Sequence, residues 1–243
     1  MTTRTFKVLS ALLSYPTAEL QGAAGELQTV LDEEGLVPIA QRDDLALLIE
    51  ELAGSDLYDL EERYVLLFDR TRSLSLHLFE HVHGEGRDRG QAMVDLKSLY
   101  EKEGLCIGTR DLPDFLPVFL EFLSLRPRAE AFELLAQPAH IFTALAERLH
   151  KRQSPYEPVF RVLVALAAAP PSREAVSELL KEADPDAMDL AALDAAWEDE
   201  PVTFGPGSGS GCKDELIARI RAGRRPAPGI ANAPAKRPEI SRP

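Results

Sequence analysis

Apolar residues recur at a helical period along most of the chain. Near the N-terminus Phe6, Val8, Leu9, Leu12 and Leu13 fall on one side of a 3.6-residue wheel, and no run of alternating β-branched residues is long enough to propose a sheet. The pattern predicts an all-α protein. Helices are expected over 3–14, 18–34, 39–53 and 56–68, broken by Tyr15-Pro16, by Gly35 to Pro38 and by Gly54-Ser55. Further helices are expected over 88–103, 114–125, 128–136, 139–152, 155–169 and 172–183, with a short one over 187–197. The sum is a single helical bundle of roughly ten helices.

Two stretches depart from this period. In SLSLHLF, residues 73–79, Leu74, Leu76 and Leu78 alternate with Ser and His, a period that fits an extended or irregular approach to the next helix as well as a helix. From Pro201 onward, seven Pro and six Gly in 43 residues leave too little apolar surface to repay ordering. The expected organisation is therefore a helical domain over 1–200 and a disordered, basic tail over 201–243. Inside the tail, KDELIARIRA at 213–222 has the pattern of a brief amphipathic helix, although a solvated charge run is the plainer reading.

The 243 residues, 45% of them hydrophobic, can fill a real core. The formal charge of −13 argues against a nucleic-acid binder, since neutralising phosphates takes a basic face. The charge is uneven. Residues 213–243 carry eight Lys or Arg against three acids, which leaves −18 on residues 1–212. A body this acidic is suited to a basic partner. Two cysteines, Cys106 and Cys212, far apart in sequence, give no disulfide framework and fit a reducing cytoplasm. The apolar run 162–169 is far shorter than the roughly 20 residues of a membrane span, so a membrane-integral protein is not expected.

HLFEHVHGEGRDRGQAM, residues 77–93, holds three of the five histidines. His77, Glu80 and His81 fit H-x-x-E-H, in which two histidines one helical turn apart hold zinc and the glutamate is the general base. That makes a zinc-dependent hydrolase the alternative reading. It needs a third ligand, and it fails if 73–78 is extended, because His77 and His81 then share no face. The plainer readings are histidines hydrogen-bonded to their neighbours, or polar residues lining a partner groove. Asp88 reads as a helix N-cap with Gln91 reaching back, and Asp69, Arg70, Arg72, Glu80, Glu85, Asp88 and Arg89 read as an ion-pair network fixing an irregular crossover.

LFDRTRSLSLHLFEHVHGEGRDRGQAMVDL at 67–96, LLSYP at 12–16 and DLPDFLPVFLEFLS at 111–124 together resemble the NarJ family. Its members are assembly chaperones of respiratory nitrate reductase, in the wider group of molybdenum-enzyme chaperones that includes TorD and DmsD. The resemblance covers roughly residues 3–200. It implies a TorD-like all-helical fold with no catalytic residues, metal or cofactor of its own. The implied partner is the apo catalytic (alpha) subunit of nitrate reductase in the cytoplasm, bound transiently through its N-terminal segment and kept competent for molybdenum cofactor insertion before membrane docking. Cofactor delivery proteins are a further partner class. Motif position puts the expected peptide groove near Tyr64, Phe68, Phe79, Met93, Tyr100, Phe115 and Phe119, with Asp69, Glu80, Glu85, Asp88, Asp114 and Glu121 as acidic partners for the client's arginines. For the aromatics the competing role is plain core packing, and for the acids a solvated or mutually paired face.

Overall fold

The computed structural model describes residues 3–83, 87–108 and 111–185, with the side chains of 83, 87 and 88 excepted. The structural expectations for Glu85, the 187–197 helix and the 201–243 tail lie outside these residues. Among the described residues the regular structure is helical apart from one isolated antiparallel bridge, His77 with Phe115. The order is α1 (Arg4–Leu12), α2 (Ala18–Gly22), α3 (Ala24–Glu34), α4 (Ile39–Gly54), α5 (Leu57–Tyr64), a π turn (Val65–Asp69), a 3₁₀ turn (Arg72–Leu74), α6 (Glu80–His83) and α7 (Arg87–Lys102). Then follow α8 (Leu116–Ser124), α9 (Arg128–Ala136), α10 (Ala139–Lys151), α11 (Glu157–Leu166) and α12 (Arg173–Lys181).

Helix α1 packs between α3 and α8, burying Phe6, Val8, Leu9 and Leu12. Its N-terminus is capped from a distance: Glu34, the last residue of α3, accepts the main-chain N–H of Arg4 at 2.7 Å and of Thr5 at 2.8 Å. A carboxylate at that end satisfies orphan donors and complements the helix dipole. Gly35 then ends α3 at φ +56°, a left-handed conformation that glycine adopts without steric cost. Helix α8 is apolar nearly all round and buries seven of its nine residues, as expected of a central helix. On the other side α10 and α11 pack together, and α11 also meets α4 and α9.

Several boundaries differ from the sequence pattern. The expected 18–34 helix is two, separated at Ala23 between Gly22 and Gly25. The expected 56–68 helix runs into a π turn, where Arg70 N–H reaches the Val65 carbonyl at 3.2 Å. Helix α7 already runs from Arg87, which puts Asp88 inside its first turn, and Gln91 donates forward to Asp95 at 3.1 Å instead of reaching back. Helix α8 starts two residues later than expected, because Phe115 is its N-cap and Asp114 is turned inward, fully buried.

Candidate functional site

The three sequence stretches singled out above, far apart along the chain, meet in space. Tyr15 of LLSYP packs edge-on against Tyr64 at 5.5 Å, and the Tyr64 hydroxyl donates to the Leu13 carbonyl at 3.0 Å. Tyr64 packs on Phe68 at 5.0 Å and Phe68 on Tyr156 at 5.1 Å, so an aromatic row runs inward from the surface. The π turn brings Asp69 to the end of this row, close enough for the charges of Asp69 and His77 to interact. Extra-residue turns of this kind re-aim the side chains that follow them.

Beyond the 3₁₀ turn the chain is irregular, with a single antiparallel bridge at His77, one of the approaches that the alternation of 73–78 allows. Leu78 N–H donates to the Asp114 carbonyl at 3.0 Å, and Leu116 N–H to the Leu76 carbonyl at 2.9 Å, which fastens this segment to the loop before α8. Asp114 organises the junction. Its carboxylate accepts Phe79 N–H at 3.2 Å, faces His77 Nδ1 at 3.2 Å and lies 3.9 Å from Arg89. Arg89 also pairs with Glu80 at 3.2 Å, and Arg72 donates to the Glu80 carbonyl. Part of the expected ion-pair network is therefore present, centred on Asp114 and Glu80. The Tyr100 hydroxyl donates to the Pro113 carbonyl at 3.0 Å, which ties α7 to the same loop.

The electrostatics follow from burial and neighbours. Burial pulls the His77 imidazole down, but the hydrogen bond and charge of Asp114, with Glu80, outweigh it, so its pKa is raised. Partial burial raises Asp69, opposed by His77. His81 is the opposite case: its desolvated ring is held down to about 4, with Nε2 2.8 Å from the Ser75 carbonyl.

These positions do not support the zinc reading. His77 lies before α6 in an isolated bridge with Phe115, while His81 is buried within α6, so the two do not share a helical face. Among the described residues no three His, Cys, Asp or Glu are grouped to hold a metal ion.

What remains at the surface is an acidic and aromatic rim. Tyr15 is 44% and Leu112 47% exposed, Asp69 is exposed, and Phe115, His77 and Glu80 are partly so. Phe115 lies tilted against the His77 ring at 5.2 Å. Such a surface accepts an apolar segment that also carries cations.

A family model described as "Nitrate reductase delta subunit" matches residues 17–161. The chain belongs to this family. It is similar to the nitrate reductase molybdenum cofactor assembly chaperone NarJ of Escherichia coli K12, at 42% identity over 210 residues, 86% of this chain and 88% of that protein. It is 39% identical to the NarW protein of the same organism over 209 residues, 85% and 86% of the two chains. The crystal structure of an Archaeoglobus fulgidus protein assigned to redox enzyme maturation overlays with a TM-score of 0.48 and 22% identity, over 67% of this chain and 91% of that one. Members of the family serve cofactor assembly and are not enzymes.

The sequence-expected site residues divide by burial. Tyr64, Phe68, Phe79, Tyr100 and Phe119 are core side chains, each at most 4% exposed. Phe115 and Met93 are half-buried. Asp69, Glu80 and Asp114 come together at the junction, while Glu121 is exposed farther along α8. Tyr15, Glu61, His77 and Arg89 were not among the expected peptide contacts. The LLSYP motif pointed at Tyr15, and Glu61 accepts its hydroxyl.

Proposed function

We propose that the protein is a system-specific chaperone that binds the apo catalytic subunit of respiratory nitrate reductase in the cytoplasm. On this reading it engages the client's N-terminal segment and keeps the subunit competent for molybdenum cofactor insertion and membrane docking. The observation that carries the reading is the convergence of 12–16, 67–83 and 111–115 on one surface, where an exposed aromatic and an unburied carboxylate lie beside a buried polar junction. Among the described residues no three His, Cys, Asp or Glu are grouped to hold a metal ion, and the chemistry this surface supports is recognition. The name of the similar NarJ chaperone supports nitrate reductase as the enzyme served. Apolar burial against Tyr15, Leu112 and Phe115 provides affinity, and Asp69 and Glu80 select a client segment bearing arginine. The structure has no helix among the described residues long and apolar enough to cross a membrane, consistent with capture of the client before it reaches its anchor.

The test is co-purification of the tagged protein with the catalytic subunit from nitrate-grown anaerobic cells, with and without the client's first residues. Loss of capture on deleting that segment is expected. Equal capture of the shortened client would refute the N-terminal segment as the recognised element.

A further inference from the structure

Away from the rim, a polar cluster joins α10, α12 and the 3₁₀ turn. Arg148 on α10 is 1% exposed and donates to two main-chain carbonyls from distant parts of the chain, Ser73 at 2.7 Å and Leu179 at 2.6 Å. One turn on, Arg152 forks onto Asp184 at 2.9 and 2.7 Å and also reaches the Pro185 carbonyl at 3.2 Å. Asp184 in turn accepts the Ser73 hydroxyl at 2.7 Å. Ser73 therefore receives two ties, one through Arg148 and one through Asp184.

These ties matter because little else holds the stretch from α12 to Pro185. Helix α12 packs on α10 and buries one side chain, Leu179. A nine-residue helix with so small an apolar footing sits at the low end of the local-stability range. The clasp that supplements it, from Arg152 to Asp184, is partly solvated and open to screening by salt. Its other end lies two residues before the extended segment that pairs with 114–116 and carries His77.

We infer that Arg173–Pro185 is a latch, clasped by Arg148, Arg152 and Asp184 onto Ser73, whose release loosens the 75–78 segment and its pairing with 114–116. Closed, it fixes the backbone from which His77 and Glu80 project. Open, Arg148 keeps the Ser73 carbonyl but loses that of Leu179, and Ser73 loses its carboxylate, so the start of the segment keeps only part of its anchorage.

Amide hydrogen exchange on the full chain tests this, comparing wild type with Asp184→Asn and Arg152→Met, and with wild type at about 0.05 and 0.5 M salt. The expected result is exchange about ten-fold faster at Val176 to Lys181 in either variant, with Leu78 and Leu116 following and the α1 and α8 interiors unchanged. Raised salt should move the same amides in the same direction in the unmodified protein. Faster α12 exchange with Leu78 and Leu116 unmoved would overturn the coupling. No change at α12 would overturn the latch, as would a uniform acceleration through α1 and α8, which would mark a global loss of stability.

Discussion

Replacing Asp114 separates what its buried carboxylate does for the backbone from what its charge does for His77 and Arg89. In Asp114→Ala, Phe79 N–H loses its acceptor in a site with no solvent, a cost of about 1–3 kcal/mol. His77 and Arg89 also lose the anion they face, and breaking part of a buried charged cluster adds a further ~1–2 kcal/mol. The expected total is about 3 kcal/mol, or roughly 10 °C in melting temperature for a chain of this size. Asp114→Asn keeps an oxygen for Phe79 and removes the charge, so it should cost about 1 kcal/mol.

The Ala penalty should also depend on pH. The folded pKa of His77 is raised, so its contribution is fully present below its unfolded value of about 6.5 and is lost as pH rises through the folded value. Asp114→Ala should therefore cost more at pH 5.5 than at pH 8. Urea and thermal unfolding followed by circular dichroism at both pH values measure all of this. If Asn costs as much as Ala, or if both lie within about 0.5 kcal/mol of wild type, the carboxylate does not organise this junction.

Two further outcomes are expected. His81 has a folded pKa held down to about 4, so the unfolded chain takes up its proton first, and stability should fall by about 3 kcal/mol as pH drops from 6.5 to 4; His81→Gln should flatten that part of the stability profile, and an unchanged slope would refute the assignment. If the client peptide is steered by the acidic rim, Asp69→Asn and a rise in salt from about 0.05 to 0.5 M should each slow stopped-flow association several-fold while changing dissociation less, and salt-independent association would exclude charge steering.

Most helices were legible because their apolar positions repeat at 3.6 residues and their ends carry Gly, Pro or Ser. Helices α4, α9, α10 and α12 begin within a residue of where the pattern puts them. The alternation of Leu74, Leu76 and Leu78 allowed either a helical or an irregular approach, and it is the bridge of His77 with Phe115 that separates His77 from the helix of His81. Other features were not legible because they depend on distant partners. Nothing local distinguishes a helix that passes smoothly through Val65–Asp69 from one that gains a residue per turn there. The cap on α1 is a glutamate thirty residues away. Arg148 falls on the buried face of α10, in register with Ile141, Ala144 and Leu145, where its charge argues against burial, and only the carbonyls of Ser73 and Leu179 make that burial tolerable.

Asp114 shows most clearly that motif position can bring residues together without assigning their roles. An aspartate after proline and before an apolar run has the local signature of an exposed N-cap, and the sequence therefore placed it at the start of α8, available to a ligand. The structure uses it differently. Because Leu116 N–H is taken by the Leu76 carbonyl, the strand-like segment lies across the start of α8 and covers Asp114, whose carboxylate then serves Phe79, His77 and Arg89. Phe79 and Phe119 are buried as well, so an alanine at either one opens a cavity costing roughly 3–5 kcal/mol before any effect on binding can be read. Among the described residues the covering leaves Tyr15, Asp69, His77, Glu80, Leu112 and the open side of Phe115 at the surface. Glu80 and His77 also serve the junction through Arg89 and Asp114, so substitutions at Tyr15, Asp69 and Leu112 are expected to test recognition with the least effect on the helical scaffold.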